Sequence, residues 1–579
     1  MPTAPIVPRI RWIDAGLVCL CAVIGMVLAV APHLAMLAAH GSLMYLGDGD
    51  DVFYVVLSRA PFRGEHGLSD PFQPARSPRQ TLYPPLPYVP LAKLTRLLAI
   101  DRLLMPLVWR VVGGILLGAS LYAVFRVVLS ETQHPRFWAL GCALVALADA
   151  GCVGGQTLVG AFGLLRAMSS GTTLMSVPNA LGQFRVVTPL VNLPILLALA
   201  ALIVPPQRPR SRTWRETGAG MVLLGSCVHV YFFFWTAAVV GLLMSLAMAM
   251  ATKVRTERDY LLLVLVGGIV LGAPQVVSNA RSFSNSALKP ILERTNRGRV
   301  LEPADPLRTR YLWNIWAYTK LVFGALVVFG LRFRRLFAIW AFTAAGFALT
   351  NSAMVTGLEF ENFHWVYVYA PFGEILALSG IVFLIDKSRF QKDKLRWLGI
   401  VPVCVVLLAT IWRPYESLRN VEARLYTKTL RELLPLRSEL AKLGPNDVIA
   451  GRWPSVNVAL LLTDSGQLYQ YDQTMYSTLA PLEEVYERKA LNAWLNGLNM
   501  REYRAEIRRE ETPTDVAAMR NRELLYLDLL SGKTAGRLLE RYQPTHLIRP
   551  DQEGPPQVDR GGPWEQAGIR GGWTLWSRR

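Results

Sequence analysis

Apolar residues in this chain gather into long runs separated by short polar stretches, rather than recurring at the spacing of an amphipathic helix or a half-buried strand. The first run, Ala15 to about Ala39, follows Arg9 and Arg11. It is about twice the length of a signal-peptide core, which predicts an uncleaved anchor helix with a cytoplasmic amino terminus. Further runs occupy Leu107 to Leu129, Phe137 to Val159, Val187 to Val204, Gly218 to Ala251, Tyr260 to Val277, Tyr311 to Leu331, Leu336 to Thr350, Val366 to Ile385 and Trp397 to Ile411. Each of the longer ones suffices to cross a hydrocarbon layer, so the pattern predicts a polytopic membrane protein.

Basic connectors separate the runs: Arg208, Arg210, Arg212 and Arg215; Lys253, Arg255 and Arg258; Arg332, Arg334 and Arg335; Lys387, Arg389, Lys392, Lys394 and Arg396. If all of these are cytoplasmic, as the positive-inside bias requires, Gly218 to Ala251 must cross the membrane an even number of times. Its 34 residues predict a turn or a broken helix pair near the middle. The expectation is a mainly α fold: a bundle of about eleven helices over 1–413 with a large first outer loop, 41–105. An extracytoplasmic α/β domain follows over 414–579, on the same side as the loops 160–185 and 278–310.

The carboxyl-terminal region changes character. Tyr415 to Leu443 has helical apolar spacing, Gly444 to Asp447 reads as a turn, and Val448 to Ala450 as a short strand. A helix is expected over Pro454 to Leu462, with strands at Gln467–Tyr471, Thr545–Ile548 and Trp573–Trp576. No Gly-rich phosphate loop, serine elbow or metal-ligand spacing occurs here. Composition agrees with a bilayer protein, at 52% hydrophobic and 18% charged residues with mean hydropathy +0.29. The net charge of +19 owes much to the connector arginines and lysines, which removes the case for nucleic acid. All six cysteines fall in apolar runs, so the polar regions have neither disulfides nor a cysteine zinc site.

Candidate chemistry concentrates in the first outer loop, where Asp48, Asp50 and Asp51 stand within four residues, followed by Tyr54 and Arg59. Carboxylates packed this closely repel one another, which suits a general base or a divalent-cation ligand, and equally suits a capped helix start. The same loop carries the proline-stiffened segment Tyr83 to Leu91. Arginines that can pair with a lipid phosphate stand in later outer loops, Arg185 in one and Arg294, Arg297 and Arg299 in another. The aromatic run His229 to Trp235 falls at the required turn, and the short loop Gly357 to Trp365 brings Glu359, Glu361, Asn362 and His364 together before a span. Asp149 is a carboxylate well inside a predicted span.

Asp50-Asp51 with Tyr54, Arg59 and Tyr83 to Leu86 resembles, in order and spacing, the first-loop motif of the GT-C superfamily of membrane glycosyltransferases. The resemblance implies an inverting glycosyltransferase of the plasma membrane. It would move a hexosyl or pentosyl unit from a polyprenyl-phosphate donor to an extracytoplasmic lipid, glycan or protein acceptor. Asp50 would be the base, with Asp51 or Asp48 in support and an outer arginine such as Arg185 or Arg297 neutralising the departing phosphate. Tyr54, Arg59, Tyr83, Glu361 and His364 are the other expected substrate contacts. The family has metal-dependent and metal-independent members, so Mg2+ or Mn2+ on Asp50 and Asp51 stays open. Two other classes stay open as well: a transporter or flippase working through an acid such as Asp149, and a non-catalytic scaffold on the same fold. The absence of a repeated hydropathy pattern and an outer domain that transport does not need weigh against the former.

Overall fold

The structure is a computed structural model of the 579-residue chain and describes residues 12–68, 83–148, 187, 189–206, 211–284, 289, 297–305, 308–309, 312, 315–388, 400–419, 421–467, 480–510, 516–556 and 562–579. The chain divides into two compact units. One comprises Met1–Leu43, Leu107–Ser278 and Gly298–Asn420, the other Met44–Pro106, Asn279–Arg297 and Val421–Arg579.

The first unit is a helical bundle. Among the described residues five helices are long and apolar enough to cross a membrane: Trp12–His40, Arg102–Val128, Phe232–Ala251, Arg255–Arg281 and Asn362–Lys387. Shorter apolar helices cover Pro135–Ala148, Leu193–Ile203, Ala317–Gly330 and Ile400–Ile411. The expected count of about eleven includes stretches outside the described residues.

Glycines let the helix backbones touch and so reveal their directions. In the first pair Asp14 meets Arg126, Cys21 meets Gly118, Gly25 meets Gly114 and His33 meets Arg110, so Trp12–His40 and Met105–Val128 are antiparallel. Trp214–Val230, opened by a Thr213–Glu216 capping box, runs parallel to Arg255–Phe283, with Gly220 against Val264, Leu224 against Gly268 and Val228 against Gly272. Between them Tyr231 adopts extended backbone, φ −162°, and splits the 218–251 run into the helices Trp214–Val230 and Phe232–Ala251. Ile315–Ala325 and Val366–Lys387 are likewise parallel, Lys320 lying at Gly373 and Leu376 at Gly324. The intervening Phe337–Thr350 opposes the latter through Phe342–Phe372 and Phe347–Tyr369. Two short strands, β1 (Arg297–Val300) and β2 (Leu358–Phe360), pair beyond one set of helix ends. The described connector residues, Arg212, Arg332, Arg334 and Arg335 among them, gather at the opposite set of ends around Glu131 and Glu257.

The second unit is α/β. Its five-stranded sheet has β3 (Val448–Gly451), β4 (Gly466–Gln467), β5 (His546–Pro550), β6 (Trp564–Arg570) and β7 (Trp573–Arg578) in the order β4-β3-β5-β7-β6. β3 is parallel to β4 and β5, whereas β7 is antiparallel to β5 and β6. The strand β6 escaped the sequence pattern because most of its side chains are exposed and it carries a register shift at Gln566/Gly568. Helices Leu482–Leu495, Met500–Glu510, Val516–Leu530 and Ala535–Tyr542 complete the unit around Tyr503, Tyr526, Leu529 and Leu538. The first outer loop belongs to this unit rather than to the bundle. Leu46 N–H donates to Thr427 Oγ1 at 3.2 Å, Arg102 pairs with Asp464 at 2.7 Å, and Arg437 pairs with Asp101 at 2.6 Å.

Candidate functional site

Within the second unit, the acidic cluster is the start of the helix Gly49–Leu57. Asp48 is its N-cap and accepts the Asp51 N–H at 3.2 Å. Asp51 is 2% exposed and accepts the Gly47 N–H at 2.7 Å, closing the turn that precedes the helix. Asp50 is half-buried in the first turn, where the unsatisfied amides of a helix start favour negative charge. One turn further on come Phe53 and Tyr54, whose rings meet those of Tyr83 and Tyr88: Phe53–Tyr83 at 5.0 Å, Tyr54–Tyr83 at 6.5 Å and Tyr54–Tyr88 at 5.5 Å. Burial pushes the Tyr88 phenol up, the neighbouring Tyr83 adds to this, and a hydrogen bond with Tyr54 opposes it. Two expected contacts, Tyr54 and Tyr83, thus come together beside the aspartates.

Arg59, a further expected contact, is also tied to the carboxyl-terminal region. It is buried, and its guanidinium donates to the Thr463 and Ser465 carbonyls at 3.0 and 2.9 Å. It ties the acidic loop to the carboxyl-terminal sheet region of the same unit. Burial raises the neighbouring Asp464 carboxyl, but Arg102, Arg59 and Arg63 together hold it below the usual carboxylate range.

Within the bundle unit, the aromatic run at Tyr231 and the loop ending at Trp365 form a second polar cluster. The Tyr231 hydroxyl bonds His364 Nδ1, Phe233 stacks on the imidazole at 4.7 Å and 17°, and Glu361 lies 4.0 Å from Nε2. Glu361 is buried with positive φ, 53°, and Trp365 donates to Thr236 at 2.9 Å. The extended residue that splits the 218–251 run therefore also seats the histidine.

Arg185, Arg294 and Asp149 lie outside the described residues. Arg297 opens β1, and Arg299 pairs with Asp305 at 3.8 Å. A third arrangement carried only a weak signal in the sequence. His33 and Arg110, both buried in apolar helices, meet at 3.0 Å. Arginine can only donate, so His33 Nε2 accepts and Nδ1–H donates to the Leu43 carbonyl at 2.6 Å. The signal was a charged residue interrupting a predicted span, as Lys320 and Glu374 also do.

The donor set does not fit a dedicated metal cage. Asp48 and Asp51 are engaged by backbone amides, and no group of three or more His, Cys, Asp or Glu side chains disposed to hold a metal exists among the described residues.

No family model and no curated protein sequence matches the chain. Among solved structures it is similar to the Archaeoglobus fulgidus oligosaccharyltransferase tethered with an acceptor peptide, at TM-score 0.45 and 10% identity over 93% of this chain and 69% of that one. The archaeal oligosaccharyltransferase AglB from Archaeoglobus fulgidus in complex with an inhibitory peptide and a dolichol-phosphate aligns at TM-score 0.46 and 9% identity over 93% of this chain and 69% of that one. ArnT from Cupriavidus metallidurans bound to undecaprenyl phosphate aligns at TM-score 0.43 and 13% identity over 98% of both chains. Similarity at this level leaves the functional reading to the residues of the chain itself.

Proposed function

We propose that the chain is a membrane glycosyltransferase that moves a sugar from a polyprenyl-phosphate donor to an acceptor hydroxyl, with inversion and with Asp50 as the base. The observation that carries this reading is the division of work among the three aspartates. Asp48 caps the helix and Asp51 is buried against the Gly47 amide. Asp50 stands in the first turn of the same helix, one turn from Tyr54 and its ring cluster. Removal of the acceptor proton by Asp50 frees the oxygen to attack the anomeric carbon. The bond from that carbon to the phosphate oxygen breaks, and the polyprenyl phosphate leaves with the electron pair. Attack opposite the leaving group inverts the centre. Collected basic residues at one set of bundle ends favour putting that end in the cytoplasm and the acceptor on the other side of a plasma membrane.

The test is transfer from radiolabelled polyprenyl-phosphate sugars to membrane extract by the purified protein and its Asp50→Asn and Asp51→Asn variants. The expected result is transfer by the wild type that Asp50→Asn abolishes at an unchanged melting temperature. If the wild type consumes no donor, the enzyme reading fails and the transporter and scaffold readings replace it; if Asp50→Asn matches a transferring wild type, the enzyme reading stands and Asp50 is not the base.

A further inference from the structure

The bundle unit contains a cavity of about 730 Å3 that plays no part in the chemistry above. Ser245, Met248, Ala249 and Thr252, from the last turns of the helix Phe232–Ala251 and just beyond it, line one side. His364 stacks on Phe233 at the other end of that helix, about 18 to 28 Å from these residues at 1.5 Å rise per residue. The cavity therefore lies at the end of the bundle that collects the basic connectors.

Its lining has two chemistries. Met248, Leu261, Val328 and Phe337 line it with apolar groups, while Arg332, Arg334 and Arg335, with Glu131 and Glu257, line it with charged ones. Glu257 is already met by Arg212 at 3.7 Å. Arg335 is 9% exposed, its closest carboxylate oxygen, on Glu131, is 3.7 Å away, and its Nε has no hydrogen-bond partner among the described residues. Arg332 and Arg334 are exposed and make no ion pair among the described residues. Burial disfavours the Arg335 charge, Glu131 restores part of it, and Arg212 and Arg126 disfavour it again. A buried, under-compensated guanidinium beside two open ones is a fork for a phosphate. A small soluble anion would leave the apolar wall facing water, whereas a phosphate carried on acyl chains covers both surfaces.

We propose that this cavity binds an anionic phospholipid, its phosphate held by Arg335 with Arg332 and Arg334 and its chains laid along the wall of Met248, Leu261, Val328 and Phe337. The ligand class is a phosphate ester, and the test separates its lipid and soluble sources.

The full-length protein, purified and stripped of lipid, is offered phosphatidylglycerol or phosphatidylcholine, and retained lipid is read by native mass spectrometry. The expected result is preferential retention of phosphatidylglycerol. It should weaken about tenfold in Arg332→Ala/Arg334→Ala, the loss of about one charge-assisted contact, with phosphatidylcholine unchanged. Arg335→Gln should weaken retention at least as much; because it alters a buried residue, the exposed double variant at wild-type melting temperature is the deciding arm. Equal retention of the two lipids, or wild-type retention by the double variant, overturns the proposal. Displacement of phosphatidylglycerol by an equal concentration of glycerol phosphate assigns the cavity to a soluble ester and overturns the lipid assignment.

Discussion

Asp50 and Asp51 are adjacent, and identical changes in them should fail in different ways. Asp51→Asn replaces a charged acceptor of the Gly47 amide with a neutral one in a buried turn, so it should lower stability by about 1–3 kcal/mol and lower transfer along with it. Asp50→Asn keeps size and helix but cannot take a proton. Transfer should fall by about 10²- to 10⁴-fold while the melting temperature holds, and paired melting curves and transfer rates distinguish the two. The acidic cluster was legible in the sequence, but the roles within it were not. Which aspartate is the cap depends on where the helix begins, and only the Asp48–Asp51 bond shows that. Arg59 illustrates the limit more sharply. Its partners are the carbonyls of residues 404 and 406 positions away, which no local pattern reveals. Arg59→Ala strands those carbonyls, and a destabilisation of about 1–3 kcal/mol read by thermal melting is expected; wild-type stability would return Arg59 to the list of substrate contacts.

Among the elements, the helices were the most legible. The break in the 218–251 run was required by parity, and the structure puts it at Tyr231. What the pattern concealed was how closely the helices approach. A Cβ on Gly118 would lie 2.1 Å from the Cys21 carbonyl oxygen, and one on Gly25 would lie 2.3 Å from that of Gly114. Gly118→Leu must therefore force the first pair apart, costing about 1–3 kcal/mol, and should lower the melting temperature in detergent. In the sheet, His546 at the start of β5 has its imidazole pushed down by burial, with Asp447 at 3.9 Å opposing the shift. An imidazole depressed in the folded state takes up its proton more readily when unfolded. Its stabilisation is thus complete above the ordinary value of about 6.5 and declines as pH falls towards the folded pKa. Melting temperature should fall as pH drops below about 6.5 in the wild type and less steeply in His546→Gln. Asp464, also held low, is affected only under more acid conditions, below about pH 4.

For the whole molecule, chain order misleads. Read along the sequence, the loop 41–105 is an insertion in a membrane bundle and 414–579 is a separate domain. In the fold, Met44–Pro106 and Val421–Arg579 form one compact unit. The physical reason is that a sixty-residue polar loop has backbone and charge to satisfy. The carboxyl-terminal region supplies the partners: Thr427 for Leu46, Asp464 for Arg102 and Arg437 for Asp101. Sequence patterning cannot show this, because each contact joins segments more than 300 residues apart. If the acidic motif is the catalytic centre, its geometry is held by residues that carry no chemistry. Asp464→Ala combined with Arg437→Ala should then loosen the loop and reduce transfer several-fold, although neither residue lies within it. Limited proteolysis should show earlier cleavage between residues 44 and 106, and adding Arg102→Ala should cost less than it does in the wild type, since Asp464 is already gone and only its bond to the Leu461 carbonyl, 2.7 Å, is left to lose. A loop cleaved early with transfer undiminished would show that the carboxyl-terminal region stabilises the loop without setting the position of the base.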